Sequence, residues 1–225
     1  MKYEQINNNR VVLTGEVIEE PIFSHETFGE AFYQVSLSVL RLSEKADILP
    51  VIISEKLLTD KRFGVGKTIC VKGQFRSYNK TDDTHSKLVL TVFAREIIDI
   101  NTEVNPNIIE LVGFICKPPI YRTTPFKREI CDLLIAVNRS YNKSDYLPCI
   151  AWGRNARFLK DMEVGAKVFL VGRIQSREYQ KKHEDGQVEN KIAYEISISR
   201  LQAHSEQENT EFTEIEYEDE DAINL

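Results

Sequence analysis

The chain of 225 residues has no apolar run near the roughly 18 residues that a membrane-spanning helix needs. Its opening, Met1-Lys2-Tyr3-Glu4-Gln5, lacks the apolar stretch of a secretory leader. A soluble cytoplasmic protein with no membrane partner is the expectation. Glycine (10) and proline (7) are too scarce for a collagen-like or low-complexity chain. Cysteine is sparse as well. Cys70, Cys116, Cys131 and Cys149 show no Cys-x-x-Cys spacing and sit in apolar stretches, where a thiol packs as a small hydrophobe. His25, His85, His183 and His204 are scattered, and none pairs with a second ligand at zinc-like spacing. Gly66-Lys67-Thr68 looks like the end of a phosphate-binding loop, but Lys61 stands where that loop needs its first glycine. There are no paired carboxylates at metal-like spacing and no nucleophile with a recognisable base. An enzyme is therefore not expected, nor a metal or other cofactor.

Basic residues are missing altogether from residues 205–225, which carry nine acidic groups. The remainder holds 29 basic against 26 acidic groups, a net +3 beneath the overall −6. Residues 1–105 are net −2, with 13 basic and 15 acidic groups, whereas 106–204 are net +5, with 16 basic and 11 acidic. A basic half followed by an acidic tail suits an anionic partner for the one and an interaction or solubilising role for the other.

What is abundant is self-similarity. At an offset of 98, Val12-Leu13-Thr14-Gly15 matches Glu110-Leu111-Val112-Gly113, Pro21 matches Pro119, Arg41 matches Arg139 and Leu49-Pro50 matches Leu147-Pro148. At 99, Val65-Gly66 matches Val164-Gly165, Gly73 matches Gly172 and Ser77 matches Ser176. One inserted loop residue accounts for the change of offset. Two copies of one domain of about 100 residues result, with boundaries at 1–105 and 106–204 and a disordered acidic tail at 205–225.

Each copy reads as mostly β. In the second, strands are expected near 108–116, 129–140, 146–152, 167–179 and 191–201, with a short helix near 154–162. Asp185-Gly186 marks a hairpin between the last two strands. The first copy repeats this order, with a helix at 54–61 that Ser54 can cap and a hairpin at 79–86 turning at Asp82-Asp83. Five strands with one helix between the third and fourth is the order of an OB-fold barrel. The expected fold is thus all-β, two tandem OB-fold barrels.

The second copy resembles the bacterial single-stranded DNA-binding proteins over residues 107–201. The resemblance rests on Leu111-Val112-Gly113 with Pro119, on Asn138-Arg139-Ser140-Tyr141, and on Asp145-Tyr146 leading to Ala151-Trp152-Gly153-Arg154-Asn155-Ala156. It continues in Val164-Gly165-Ala166-Lys167-Val168 and Gly172-Arg173-Ile174-Gln175-Ser176-Arg177-Glu178-Tyr179. The family places aromatics after the second strand, at both ends of the third and after the fourth. Tyr141, Tyr146, Trp152 and Tyr179 fill those places.

Alternation agrees with this. Tyr146, Pro148, Ile150 and Trp152 share one face of a strand, opposite Leu147, Cys149 and Ala151. On the next strand Val168, Leu170, Gly172 and Ile174 point inward, which sends Arg173, Gln175, Arg177 and Tyr179 outward. Rings that stack on bases, interleaved with cations that neutralise phosphates, give sequence-tolerant single-strand binding. Arg139, Arg154, Lys181 and Lys182 extend the candidate set. Arg154 with Arg157 equally fits mere helix decoration, Lys181 with Lys182 mere solubilisation, and Trp152 a core or interface place.

The first copy departs from the pattern. Ser43, Ile48, Ser54 and Lys80 stand where the second has its aromatics. Tyr78 and Arg76 remain as candidate DNA contacts, on a face with Lys72 and Gln74. Ile48, Pro50 and Ile52 are expected to form an apolar outer stripe, so this copy is expected mainly to organise the assembly. By resemblance, chains with two OB-folds form homodimers.

The resemblance also implies that the tail recruits replication or repair proteins and competes weakly for the basic face. Family tails close on an apolar motif containing proline and phenylalanine. This one ends in Glu218-Asp219-Glu220-Asp221-Ala222-Ile223-Asn224-Leu225, so Asp219, Glu220, Asp221, Ile223 and Leu225 are the candidate docking residues. The expected function is non-sequence-specific binding and protection of single-stranded DNA in replication, recombination and repair. The alternative is an OB-fold interaction module of a replication or mobile-element system with weak or no DNA binding. RNA is not excluded by stacking and phosphate contacts alone.

Overall fold

A computed structural model of the chain describes residues 8–41, 43, 45–81, 86–101, 107–140, 142–182 and 186–203. Tyr141, the Asp82-Asp83 turn, Asp185 and the tail residues Asp219, Glu220, Asp221, Ile223 and Leu225 lie outside the described residues.

The first copy comprises β1 (Asn9–Val17), β2 (Ile22–Thr27), β3 (Glu30–Leu40), β4 (Ala46–Ser54), α1 (Glu55–Leu58), β5 (Thr68–Thr81) and β6 (Ser86–Ile98). The second comprises β7 (Asn107–Ile115), β8 (Ile120–Thr123), β9 (Glu129–Arg139), β10 (Lys143–Trp152), α2 (Gly153–Leu159), β11 (Lys167–Lys182) and β12 (Val188–Ala203). In the first, strand order runs β2-β3-β4-β6-β5-β1, and β1 returns to pair with β3 through Glu16↔Ser38. In the second, it runs β8-β9-β10-β12-β11-β7, and β7 returns to β9 through Ile115↔Ile135. The pairings β4–β6 and β10–β12 are parallel, whereas β3–β4, β5–β6 and β9–β10 are antiparallel. Both copies are closed OB-type barrels.

Each barrel carries one strand more than the sequence pattern implies. β2 and β8 are short edges paired only to β3 and β9, and every residue of both is exposed. An edge with no buried face has no alternation to betray it. The helices are also shorter than expected, and the Ser54 side chain makes no capping hydrogen bond.

Elsewhere alternation is faithful. On β1 the pattern buries Val11, Leu13 and Val17; on β9 it buries Cys131, Leu133, Ile135 and Val137. Each such side chain leaving water contributes about 1.5–3 kcal/mol before chain entropy is charged against it. Two repeated glycines mark where neighbouring strands come closest. A β-carbon on Gly73 would lie 2.1 Å from the Phe93 carbonyl oxygen, and one on Gly172 2.4 Å from that of Ser197.

The chain divides into two compact units that do not follow the repeat boundary. The first-repeat unit is Arg10–Ile108 together with Ile174–Glu195, the outer part of the β11–β12 hairpin. The second-repeat unit is Ile109–Arg173 with the described parts of Met1–Asn9 and Ile196–Leu225.

Gly172→Ala is expected to lower stability by about 1–3 kcal/mol, because its methyl meets backbone that cannot yield. Gly64→Ala, which meets only the flexible Lys67 side chain, is expected to be near neutral. Urea midpoints check this, and equal midpoints for the two variants would contradict the packing.

Candidate nucleic-acid interface

In the second-repeat unit, β10 sets the surface. Its pairing with β9 from Lys143↔Arg139 to Trp152↔Ile130 fixes which side chains turn out. Tyr146 is 47% exposed and Trp152 39%, while Leu147 and Cys149 are buried. Gly153, at φ +50, turns the chain from β10 into α2 and leaves the indole facing outward. Trp152 therefore does not lie in the core. Ile150, on the same face, is nevertheless only 5% exposed. It pairs with Asp132 on β9 and Ser197 on β12, and neighbours on both sides cover it.

Arginines lie on β9, α2 and β11 of the same unit. Arg154 is exposed on α2 and Arg173 half-buried on β11. Arg157 donates to Glu129 at 2.6 Å. Arg139 is half-buried, and its Nη1 donates to the buried Asp145 carboxylate at 3.3 Å. Burial pushes the Cys131 thiol up to about 11, with Asp132 adding to it, so this cysteine stays protonated and inert.

The first-repeat unit has two groups. On the β11 segment that belongs to it, Arg177 and Tyr179 alternate outward, the guanidinium 5.9 Å from the Tyr179 ring centre and its Nε 3.7 Å from Glu195. Tyr179 is 38% exposed, and β11 ends at Lys181 and Lys182. Gln175, expected to face out, is buried, because its Nε2 donates to Glu195 at 2.8 Å.

The second group lies across the first barrel's outer wall. Tyr78 is exposed on β5. Two residues back, the Arg76 guanidinium sits 3.9 Å from the Phe93 ring centre and donates to Gln74 Oε1, which also accepts from Arg95. Phe93 meets Phe32 at 5.5 Å between centroids, and Phe32 stacks on His25 at 5.0 Å and 11°. The resulting row runs from β5 through β6 and β3 to β2.

Family spacing had no means of finding this row, because the family positions fall on Ser43, Ile48, Ser54 and Lys80. A weaker signal existed: Phe32 shares its strand parity with Gln34, Ser36 and Ser38, an otherwise polar face. The expected apolar stripe is corrected. Ile52 is 4% exposed, paired between Gln34 and Phe93, so only Ile48 of the three is an exposed residue.

Among the described residues no group of three His, Cys, Asp or Glu is placed to hold a metal ion. No helix among them is long and apolar enough to cross a membrane. What the surfaces offer is rings beside guanidinium groups, suited to flat, anionic, polymeric ligands.

The architecture is that of a tandem OB-fold protein. It is similar to the crystal structure of the wild-type single-stranded DNA binding protein from Thermus aquaticus, with a TM-score of 0.67 and 18% identity over 90% of this chain and 96% of that one. That likeness speaks for the fold. Residues 106–215, the second copy, match the single-strand binding protein family. Among curated relatives, single-stranded DNA-binding protein A of Bacillus subtilis (strain 168) is 28% identical over 108 residues, 45% of this chain and 58% of that protein. Single-stranded DNA-binding protein 1 of Staphylococcus aureus (strain COL) is 32% identical over 81 residues, 33% of this chain and 48% of that protein. The chain thus spans about half the length of the relatives it matches.

Trp152 is the only tryptophan, so its place can be read directly. Its emission is expected to lie toward the red and to be quenched readily by iodide in the native protein. A blue-shifted emission indifferent to iodide would put the indole in the core.

Proposed function

We propose that this protein binds single-stranded DNA without sequence preference, protecting it during replication, recombination and repair. The observation that carries the reading is the pair of outward rings, Tyr146 and Trp152, on β10 of the copy that matches the family. Each ring that takes a base contributes about 1–3 kcal/mol, whatever the base. Arg154, Arg173, Arg177, Lys181 and Lys182 supply phosphate neutralisation, and Tyr141 extends the set by family position. The chemistry asked of these groups is binding rather than catalysis.

The first copy takes part as well. Tyr78, Arg76, Phe93 and Phe32 give it a ring-and-guanidinium surface of its own, so it is not confined to assembly. A homodimer, displaying four barrels, follows from the family resemblance. The acidic end at Asp219, Glu220, Asp221, Ile223 and Leu225 serves to recruit replication or repair proteins and competes for the basic face when DNA is absent.

Anisotropy of a labelled oligo-dT of about 35 nucleotides, beside the matching duplex, tests the reading. Single-strand affinity is expected to fall as salt rises, with a log–log slope of about −2 to −4 for several phosphates, and the duplex to bind far more weakly. Equal affinity for both, or no salt dependence, would contradict it. Tyr146→Ala with Tyr179→Ala is expected to weaken oligo-dT binding more than about tenfold; near-native affinity would move the site elsewhere. Deleting residues 206–225 is expected to tighten binding by about two- to fivefold through loss of a competing polyanion, whereas unchanged affinity would show that the tail does not visit the basic face.

A further inference from the structure

The β7–β11 ladder runs from Lys167↔Phe114 to Gly172↔Ile109 and stops there. Beyond it, the edge of β11 that carries Ile174 and Ser176 is met by side chains instead of a strand. Asn107, on the next rung of the same register, donates from Nδ2 to the Ile174 carbonyl at 2.7 Å and accepts from the Ile174 N–H at 2.9 Å. Two residues on, the Asp47 carboxylate takes over. Its Oδ1 accepts from the Ser176 N–H at 2.7 Å and from Ser176 Oγ at 2.9 Å. Arg41 completes the grip: Nη2 donates to the Ser176 carbonyl at 3.1 Å, while Nε and Nη2 hold the carboxylate at 2.6 and 2.5 Å. All of these residues belong to the first-repeat unit.

Asp47 is fully buried. Burial pushes its carboxyl up, but the hydrogen bonds from Arg41 and Ser176 outweigh that and hold it below the usual carboxylate range. A buried ion pair is a poor way to gain stability, since an apolar pair of similar volume generally does as well. What this one does that apolar side chains cannot is bond both the N–H and the C=O of one residue in another copy's strand. That residue stands directly before Arg177 and three before Tyr179.

We propose that Arg41 and Asp47, in the first copy, are positioning residues for the nucleic-acid contacts of Arg177 and Tyr179 in the second. They substitute for the missing ladder strand and hold the β11 arm in place within the first-repeat unit. The proposal rests on the single-stranded DNA reading.

The test uses the full chain with Arg41→Met and Asp47→Leu together, an apolar replacement expected to fold because no charge is left unpaired. Asp47→Asn serves as the second variant. Hydrogen exchange without DNA reads the anchor by itself. The Ser176 amide is expected to lose protection at least about tenfold, while that of Ile174, held by Asn107, and those of 167–172, held by β7, keep theirs. Unchanged protection at Ser176 in both variants overturns the proposal.

A double-mutant cycle on oligo-dT reads the consequence. In the native chain Tyr179→Ala is expected to cost about tenfold in affinity; in the Arg41→Met/Asp47→Leu background it is expected to cost less than about threefold, while Tyr146→Ala keeps its full cost. An equal cost of Tyr179→Ala in both backgrounds overturns the positioning role. Loss of protection in chains that bind no oligo-dT, native chain included, refutes the DNA reading and the proposal with it.

Discussion

A barrel this small has room for one set of side chains inside, and its closure decides everything else. Where β1 closes on β3 and β7 on β9, Gly15 and Gly113 lie so close to the facing strand that a β-carbon there would come within 2.8 Å of the Ser38 carbonyl oxygen and 2.7 Å of the Ala136 one. Once closed, the strands have no freedom of register, because a slip of one residue would turn every buried valine and leucine outward. The same constraint turns the alternate residues out without further cost. Tyr146 and Trp152 face the surface because Leu147 and Cys149 cannot. The proposed interface is the outside of the barrel, read at the same period as its core.

The second physical theme is a charge where none is needed for stability. Separating Asp47 from Arg41 would leave an uncompensated charge in a dry environment, a loss of about 3–5 kcal/mol. The matched pair Arg139–Asp145 recurs in the second copy at the same offset, with its carboxylate equally buried. A feature kept in both copies at such risk is consistent with a use for direction rather than for adhesion. It also recasts Arg139, whose guanidinium is turned toward a buried carboxylate and not simply into solvent.

Much of this was legible in the residues. The repeat, the long strands and the two barrels follow from hydrophobic alternation and matched glycines, which are local and periodic. The outward rings Tyr146, Trp152 and Tyr179 follow from parity on strands whose inner faces are unmistakable. What stayed hidden depends on neighbours brought from far along the chain. β2 and β8 bury nothing and leave no pattern. Ile52 and Ile150 lie on outward parity yet are covered across the sheet, and Gln175 is drawn in by Glu195. The Phe32–Phe93 row joins residues 61 positions apart. The carboxylate that anchors the second copy's arm belongs to the first, a pairing that no single-strand pattern records.

The proposed binding depends on bases stacking against the outer rings. The lone tryptophan sits among them, so its emission during titration with oligo-dT at moderate salt reports that contact without a label. Strong, saturable quenching with the same midpoint as binding is the predicted result. Full binding with the Trp152 emission unchanged would contradict the account, because the strand would then lie away from β10.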